Sequence, residues 1–199
     1  FSIDDISGIL TIPPSIFTSL QLDTLENDQQ IISKLQSTFP INSQKLVYLS
    51  HGHAGHKSYC YLAITARVLA QYSSYFTFRF DFKGCGDSVD NQNQDVIGRL
   101  IDHDIECLDI LFNYFNNWKF LDNYSIISHS RGTIASFKWA LKTQETNPDL
   151  IQPFLISCSG RFNSKKLAES FLANPEKKNQ WDKFNGSFIK SYKNGDYTF

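Results

Sequence analysis

Short apolar runs alternate along this chain with longer stretches whose apolar residues recur at helical spacing. Ile9-Leu10-Thr11-Ile12 reads as a short strand stopped by Pro13-Pro14. Residues 15–44 are rich in Ser, Gln, Asn and Asp; Leu22, Leu25, Ile31, Ile32 and Leu35 supply one or two modest helices in a connecting excursion. Lys45 to Ser50 (KLVYLS) is a compact apolar strand running directly into His51-Gly52-His53-Ala54-Gly55-His56, and a helix follows with Tyr59, Leu62, Ala63, Ala66 and Ala70 on one face. Tyr75 to Phe80 is the next strand, ending in Asp81-Phe82-Lys83-Gly84-Cys85-Gly86-Asp87-Ser88, and polar residues 89–98 read as loop. Ile101, Ile105, Leu108, Phe112 and Phe115 then define an amphipathic helix, with Asp102, Asp104 and Glu106 in its early turns, where the helix dipole favours acids.

Ser125, Ile126, Ile127 and Ser128 read as the end of a buried strand, and Ile134, Phe137 and Leu141 continue at helical spacing. The switch from strand to helix falls on Ser128-His129-Ser130-Arg131-Gly132. A tight turn there would strain its central residue, and small residues two before and two after leave room for it; Gly132 meets that need, while Ser128 brings a Cβ that must fit. A strand at Phe154–Cys158 and a helix over Lys165–Ala173 follow, then a polar, aromatic tail to Phe199. Strands and helices alternating at this rhythm argue for an α/β domain with a mostly parallel, doubly wound sheet.

Composition narrows the partners rather than the chemistry. At 199 residues, 41% hydrophobic and 20% charged, the chain suits one globular core. Its net charge of −1 gives no reason to expect nucleic acid or an anionic membrane as partner. No apolar run approaches the roughly 20 residues that span a bilayer. Cys60, Cys85, Cys107 and Cys158 form no Cys-x-x-Cys pair, so neither a zinc site nor a disulfide framework is suggested, and a reducing, cytoplasmic setting is the default expectation. His53 and His56 have the composition of metal ligands, but no neighbouring Asp, Glu or Cys completes a set. The Gly84-Cys85-Gly86 turn lacks the third glycine of a dinucleotide fingerprint, and no phosphate-loop lysine pattern occurs, so no cofactor is expected.

Three glycine-bearing turns (HGHAG, DFKGCGDS and SHSRG) fall where strands end, which is where open α/β sheets bind ligands. Together, in this order and spacing, they resemble the α/β-hydrolase superfamily, and within it the serine-aminopeptidase-like and carboxylester-hydrolase branch of feruloyl esterases and monoacylglycerol lipases. The resemblance covers residues 8–160. It implies an α/β-hydrolase core over residues 1–160, with the excursion at 15–44, and the start of a cap over 161–199. It implies Ser130 as nucleophile, with the backbone N–H groups of His53 and Arg131 as oxyanion donors. His51, Gly52, Asp81, Gly84, Gly86, Ser88, Ser128 and Gly132 would support these turns, and His129 would be a packed neighbour of the nucleophile. The implied substrate is a small-molecule ester, thioester or amide.

One departure matters. In this family the triad runs Ser, then Asp or Glu, then His. All five histidines here (His51, His53, His56, His103, His129) precede Ser130, and Asp149, Asp182 and Asp196 end no recognisable strand. The sequence begins at Phe1 and contains no methionine. The expectation is therefore a fragment, truncated before the last strands, whose acid and histidine lie beyond the end of this chain. The competing expectation is a non-catalytic binding or scaffold protein in which Ser130 only makes a tight turn, and a third is a rewired site using His53 or His56 as base. The cap aromatics Phe162, Phe171, Trp181, Phe184, Phe188 and Tyr192 suit either an apolar acyl chain or ordinary helix packing.

Overall fold

The computed structural model describes residues 2–89, 100–160, 169, 173–176, 178–179, 189–192 and 195–198. Ser2–Ile3 (β1) and Ile6–Thr11 (β2) open the chain, followed by Pro14–Ser19 (α1), a 3₁₀ turn at Leu22–Thr24 and Asp28–Thr38 (α2). Gln44–Ser50 (β3), Leu62–Tyr72 (α3), Phe76–Phe80 (β4), Ile101–Asn116 (α4), Leu121–His129 (β5), Arg131–Thr146 (α5) and Phe154–Cys158 (β6) then alternate. The six strands form one sheet in the order β1-β2-β4-β3-β5-β6. β4, β3, β5 and β6 run parallel, and β1 and β2 are added antiparallel at one side. A separate hairpin pairs Ile189–Tyr192 (β7) with Gly195–Thr198 (β8). Of the helix expected over Lys165–Ala173 only Glu169, which is helical, and Ala173 are described, and the side chains of the cap aromatics lie outside the described residues.

The core is aromatic because the alternation in β4 places one large ring at every second position. Phe76, Phe78 and Phe80, with Phe82 beyond them, line one face and are fully buried. α4 lies over that face: Phe115 meets Phe78 edge-on at 4.8 Å, and Phe112 stacks on Tyr48 of β3 at 4.5 Å. The buried Tyr48 hydroxyl donates to Asn123 at 2.5 Å, which spares it an unmet polar group. On the opposite face α3 covers Val47 and Leu49 with Leu62 and Ala66.

Three expectations need correction. The strand read at Ile9–Ile12 runs instead from Ile6 to Thr11, because Ile6 and Ser7 pair with β1 and Gly8 to Thr11 pair with β4. The third helix starts at Leu62, so Tyr59 is an exposed loop residue rather than part of its apolar face. In α5 the buried face is Gly132, Thr133, Ala135, Ser136 and Trp139, whereas Phe137 and Leu141 are 46% and 65% exposed. The helix sits too close to the sheet for large side chains at its start. A Cβ on Gly132 would lie 2.6 Å from the His51 carbonyl oxygen and 2.7 Å from Ser50 Oγ. Small residues therefore face inward, and Trp139 fills the widening gap two turns later, packed at 4.2 Å on Phe112 and donating its indole N–H to Asp109.

This geometry reverses the ranking that apolar periodicity gives. Trp139→Ala is expected to lower unfolding free energy by about 3–5 kcal/mol, and Leu141→Ala to change it by no more than about 0.5 kcal/mol. Urea titration of the two variants checks this, and comparable losses would contradict the assigned face.

Candidate active site

Ser130 sits between the last residue of β5 and the first of α5 with φ 51° and ψ −113°. Positive φ crowds the Cβ of any L-residue, so the turn persists only because its surroundings hold it. Ser130 N–H donates to the Cys158 carbonyl at the end of β6 (2.9 Å), and Thr133 N–H donates to the Ser130 carbonyl (3.1 Å). Gly52 presses from the other side: a Cβ there would be 2.9 Å from Ser130 Cβ. The Cβ of Ser128 is accommodated because a small residue faces it across the junction. Ser128 and Ser136 share a 2.6 Å hydroxyl–hydroxyl bond, and Ser136 Oγ also donates to the Gly132 carbonyl. Arg131 opens α5 at its electropositive N-terminus. Its guanidinium Nε donates to the buried Asp104 of α4 at 3.0 Å, so Asp104 is turned inward as an ion-pair partner and does not merely decorate the first helical turn.

The HGHAG run forms the loop from β3 towards α3. His51 is fully buried, and its Nε2 accepts the Phe82 N–H at 3.1 Å. That bond leaves the ring proton on Nδ1, which donates it to the Gly52 carbonyl at 2.7 Å. His53 and His56 are exposed, and among the described residues no group of three or more His, Cys, Asp and Glu is placed to hold a metal ion. His129 points to the α3 side of the sheet, edge-on to Tyr61 at 5.6 Å.

The Asp81–Ser88 turn folds around one buried carboxylate. Asp81 accepts the Lys57 N–H, the Lys57 ammonium at 2.5 Å and the Asp87 N–H at 2.9 Å. Gly84 and Gly86 have φ of 77° and 54°, and a Cβ on Gly86 would run into the Asp81 carboxylate. Ser88 Oγ donates to the Asp81 carbonyl and accepts the Ser7 N–H, tying the turn to β2. Lys57 was invisible as a functional residue in the sequence. Its ammonium, almost wholly buried, bridges Asp81 and Asp87 at 2.5 Å each. Burial alone would lower the Lys57 ammonium, but the two carboxylates outweigh it and hold the group above its ordinary value. Lys57 in turn holds the exposed Asp87 carboxyl below the usual carboxylate range. The three turns thus converge at the carboxyl ends of β3, β4 and β5, with Ser130 at the tip.

No family model matches the sequence. The chain is 32% identical over 165 residues to the uncharacterized Saccharomyces cerevisiae protein YDL057W, covering 77% of this chain and 48% of that protein. It therefore spans about half the length of the curated relative it matches. Among solved structures, a protein of Agrobacterium vitis provisionally named a hydrolase superposes over 98% of this chain and 62% of its own, with TM-score 0.60 and 14% identity. Mouse alpha/beta hydrolase domain-containing protein 10 superposes over 81% of this chain and 59% of its own, with TM-score 0.50 and 14% identity.

The charge bridge has a defined pH window. A raised Lys57 contributes stability that is complete below 10.5 and is lost as pH rises through its higher folded value. A lowered Asp87 contributes stability that is present above 3.8 and is lost as pH falls through its lower folded value. The stability difference between the native protein and Asp87→Asn is therefore expected to be flat between these two ordinary values and to narrow outside both. Urea midpoints across pH measure it, and a difference that varies inside the window contradicts the pairing.

Proposed function

Because the chain has the α/β-hydrolase fold, we propose that the protein is a serine hydrolase acting on a carboxylic ester, thioester or amide through an acyl-enzyme on Ser130. The observation that carries this reading is the backbone of Ser130, held at φ 51° and ψ −113° on a strand-to-helix turn at the carboxyl end of the sheet. A turn of that shape lifts a hydroxyl clear of the backbone and sets it beside a helix N-terminus.

In the proposed reaction a general base takes the Ser130 proton as Oγ attacks the substrate carbonyl carbon. The developing oxyanion is met by the N–H groups of His53 and Arg131; losing one such donor typically slows reaction by about a hundred- to a thousandfold. Collapse of the intermediate expels the alcohol, thiol or amine, which leaves with the proton held by the base. Water then releases the acid by the same steps. His51 is a poor base, since its Nε2 lone pair accepts the Phe82 N–H, and the His129 ring lies among tyrosines on the α3 side. In the α/β-hydrolase order the acid and the histidine both follow the serine, and no histidine follows Ser130 here. The reading therefore places the base and its acid outside these 199 residues. The Saccharomyces relative, matched over 48% of its length, has room for them.

The test is hydrolysis of p-nitrophenyl butyrate by the full-length protein and its Ser130→Ala variant. Ser130→Ala is expected to lower kcat/KM by at least about a thousandfold with the fold intact by circular dichroism. Equal turnover in both would remove Ser130 from the chemistry and leave the turn as a scaffold feature.

A further inference from the structure

The loop that would carry the second oxyanion donor is exposed at its centre. Between β3 and α3, residues His53, Ala54 and His56 are exposed, and its internal backbone bonds are Gly55 N–H to the Gly52 carbonyl at 3.4 Å and Tyr59 N–H to the His56 carbonyl at 2.8 Å. Tyr59 and Tyr61 beyond it pack their rings on His129. The His51–Lys57 segment itself is bracketed by two polar anchors, and both reach the same end of β4. At the near end the His51 ring accepts the Phe82 N–H. At the far end Lys57 makes four bonds: its N–H and its ammonium go to the two oxygens of Asp81, the ammonium also reaches Asp87 at 2.5 Å, and its carbonyl accepts from Arg79 Nη1 at 3.1 Å.

A buried ammonium normally destabilises a fold, because removal from water is repaid only if every donor finds a partner. Here the partners all lie across the loop, 22 to 30 residues away in sequence. The loop also has no slack towards the nucleophile: a Cβ on Gly52 would sit 2.9 Å from Ser130 Cβ and 3.1 Å from His129 Nδ1. A shift of about 1 Å at such a site can change a rate about a hundredfold.

We propose that Lys57, held between Asp81 and Asp87, is a positioning residue that fixes the His51–Lys57 loop, and with it the His53 N–H, against Ser130. The proposal rests on the serine-hydrolase reading for its catalytic consequence, though not for its structural one. Lys57 touches no reacting atom. It acts through the loop, and Asp87 is the outer half of its grip.

The test uses the full-length protein with Lys57→Met, Lys57→Arg and Asp87→Asn. With p-nitrophenyl butyrate, Lys57→Met is expected to lower kcat about 10- to 100-fold with KM changed less than about threefold, because an oxyanion contact is made mainly in the transition state. Lys57→Arg keeps a cation for both carboxylates and is expected to recover part of kcat. Should Lys57→Met fail to fold, Asp87→Asn decides, since Asp87 is 80% exposed at its side chain and its loss buries no lone charge. It is expected to lower kcat about two- to fivefold. Unchanged kcat in a folded Lys57→Met, or in Asp87→Asn when Lys57→Met does not fold, overturns the proposal.

If the full-length native protein shows no turnover, the hydrolase reading fails and amide hydrogen exchange decides the positioning claim on its own. The Gly55 amide, whose bond to the Gly52 carbonyl lies inside the loop, should then exchange about tenfold faster in Asp87→Asn than in the native protein, with the amides of β3 unchanged. Equal exchange in the loop overturns it.

Discussion

Ser130 occupies a backbone conformation that costs an L-residue on the order of 1–3 kcal/mol, and much of the surrounding architecture serves to hold it there. The Cys158 carbonyl takes its N–H, Thr133 takes its carbonyl, and Gly52 and Gly132 press the β3 loop and the start of α5 against it. These contacts come from the β3 loop, from β6 and from α5, so the turn forms only when β3, β5, β6 and α5 are all in register. This is a long-range constraint imposed on a five-residue motif. It explains why the sheet-facing positions at the start of α5 are small and why the aromatic packing begins only at Trp139. The strain is local, while the means of containing it is the whole central sheet.

Charge is handled by the same logic of distant partners. Asp104 is buried yet paired with Arg131, the residue immediately after Ser130. Asp81 is buried yet takes three donors, two of them from Lys57. A buried carboxylate without such partners would be expelled or neutralised. As built, the two pairs join α4 to the Ser130 turn and the β4 turn to the β3 loop, bringing three glycine-bearing turns to one end of the sheet.

Much of this was legible in the sequence. The strand order of events along the chain, the three turns and the small-residue demand around Ser130 could be read from local pattern because each depends on residues within a few positions of one another. The face of α5 could not. Periodicity counts apolar residues, and Ile134, Phe137 and Leu141 have the right spacing, but closeness of the helix to β3 excludes bulk at Gly132 and turns Phe137 and Leu141 outward. Lys57 was equally hidden: a lysine beside a polar, histidine-rich run reads as solvated, and its partners are 24 and 30 residues away. Asp104 looked like a helix-dipole residue because its real partner, Arg131, is 27 positions on. Local chemistry shows in sequence; pairing across the sheet does not.

The most direct measurement is to quench the full-length protein in acid during turnover of p-nitrophenyl acetate and locate any acetyl group by peptide mapping. One acetyl is expected on the peptide containing Ser130, accumulating within the first turnover and disappearing as product is released. Turnover with no adduct on that peptide, or with the acetyl on another side chain, would contradict it.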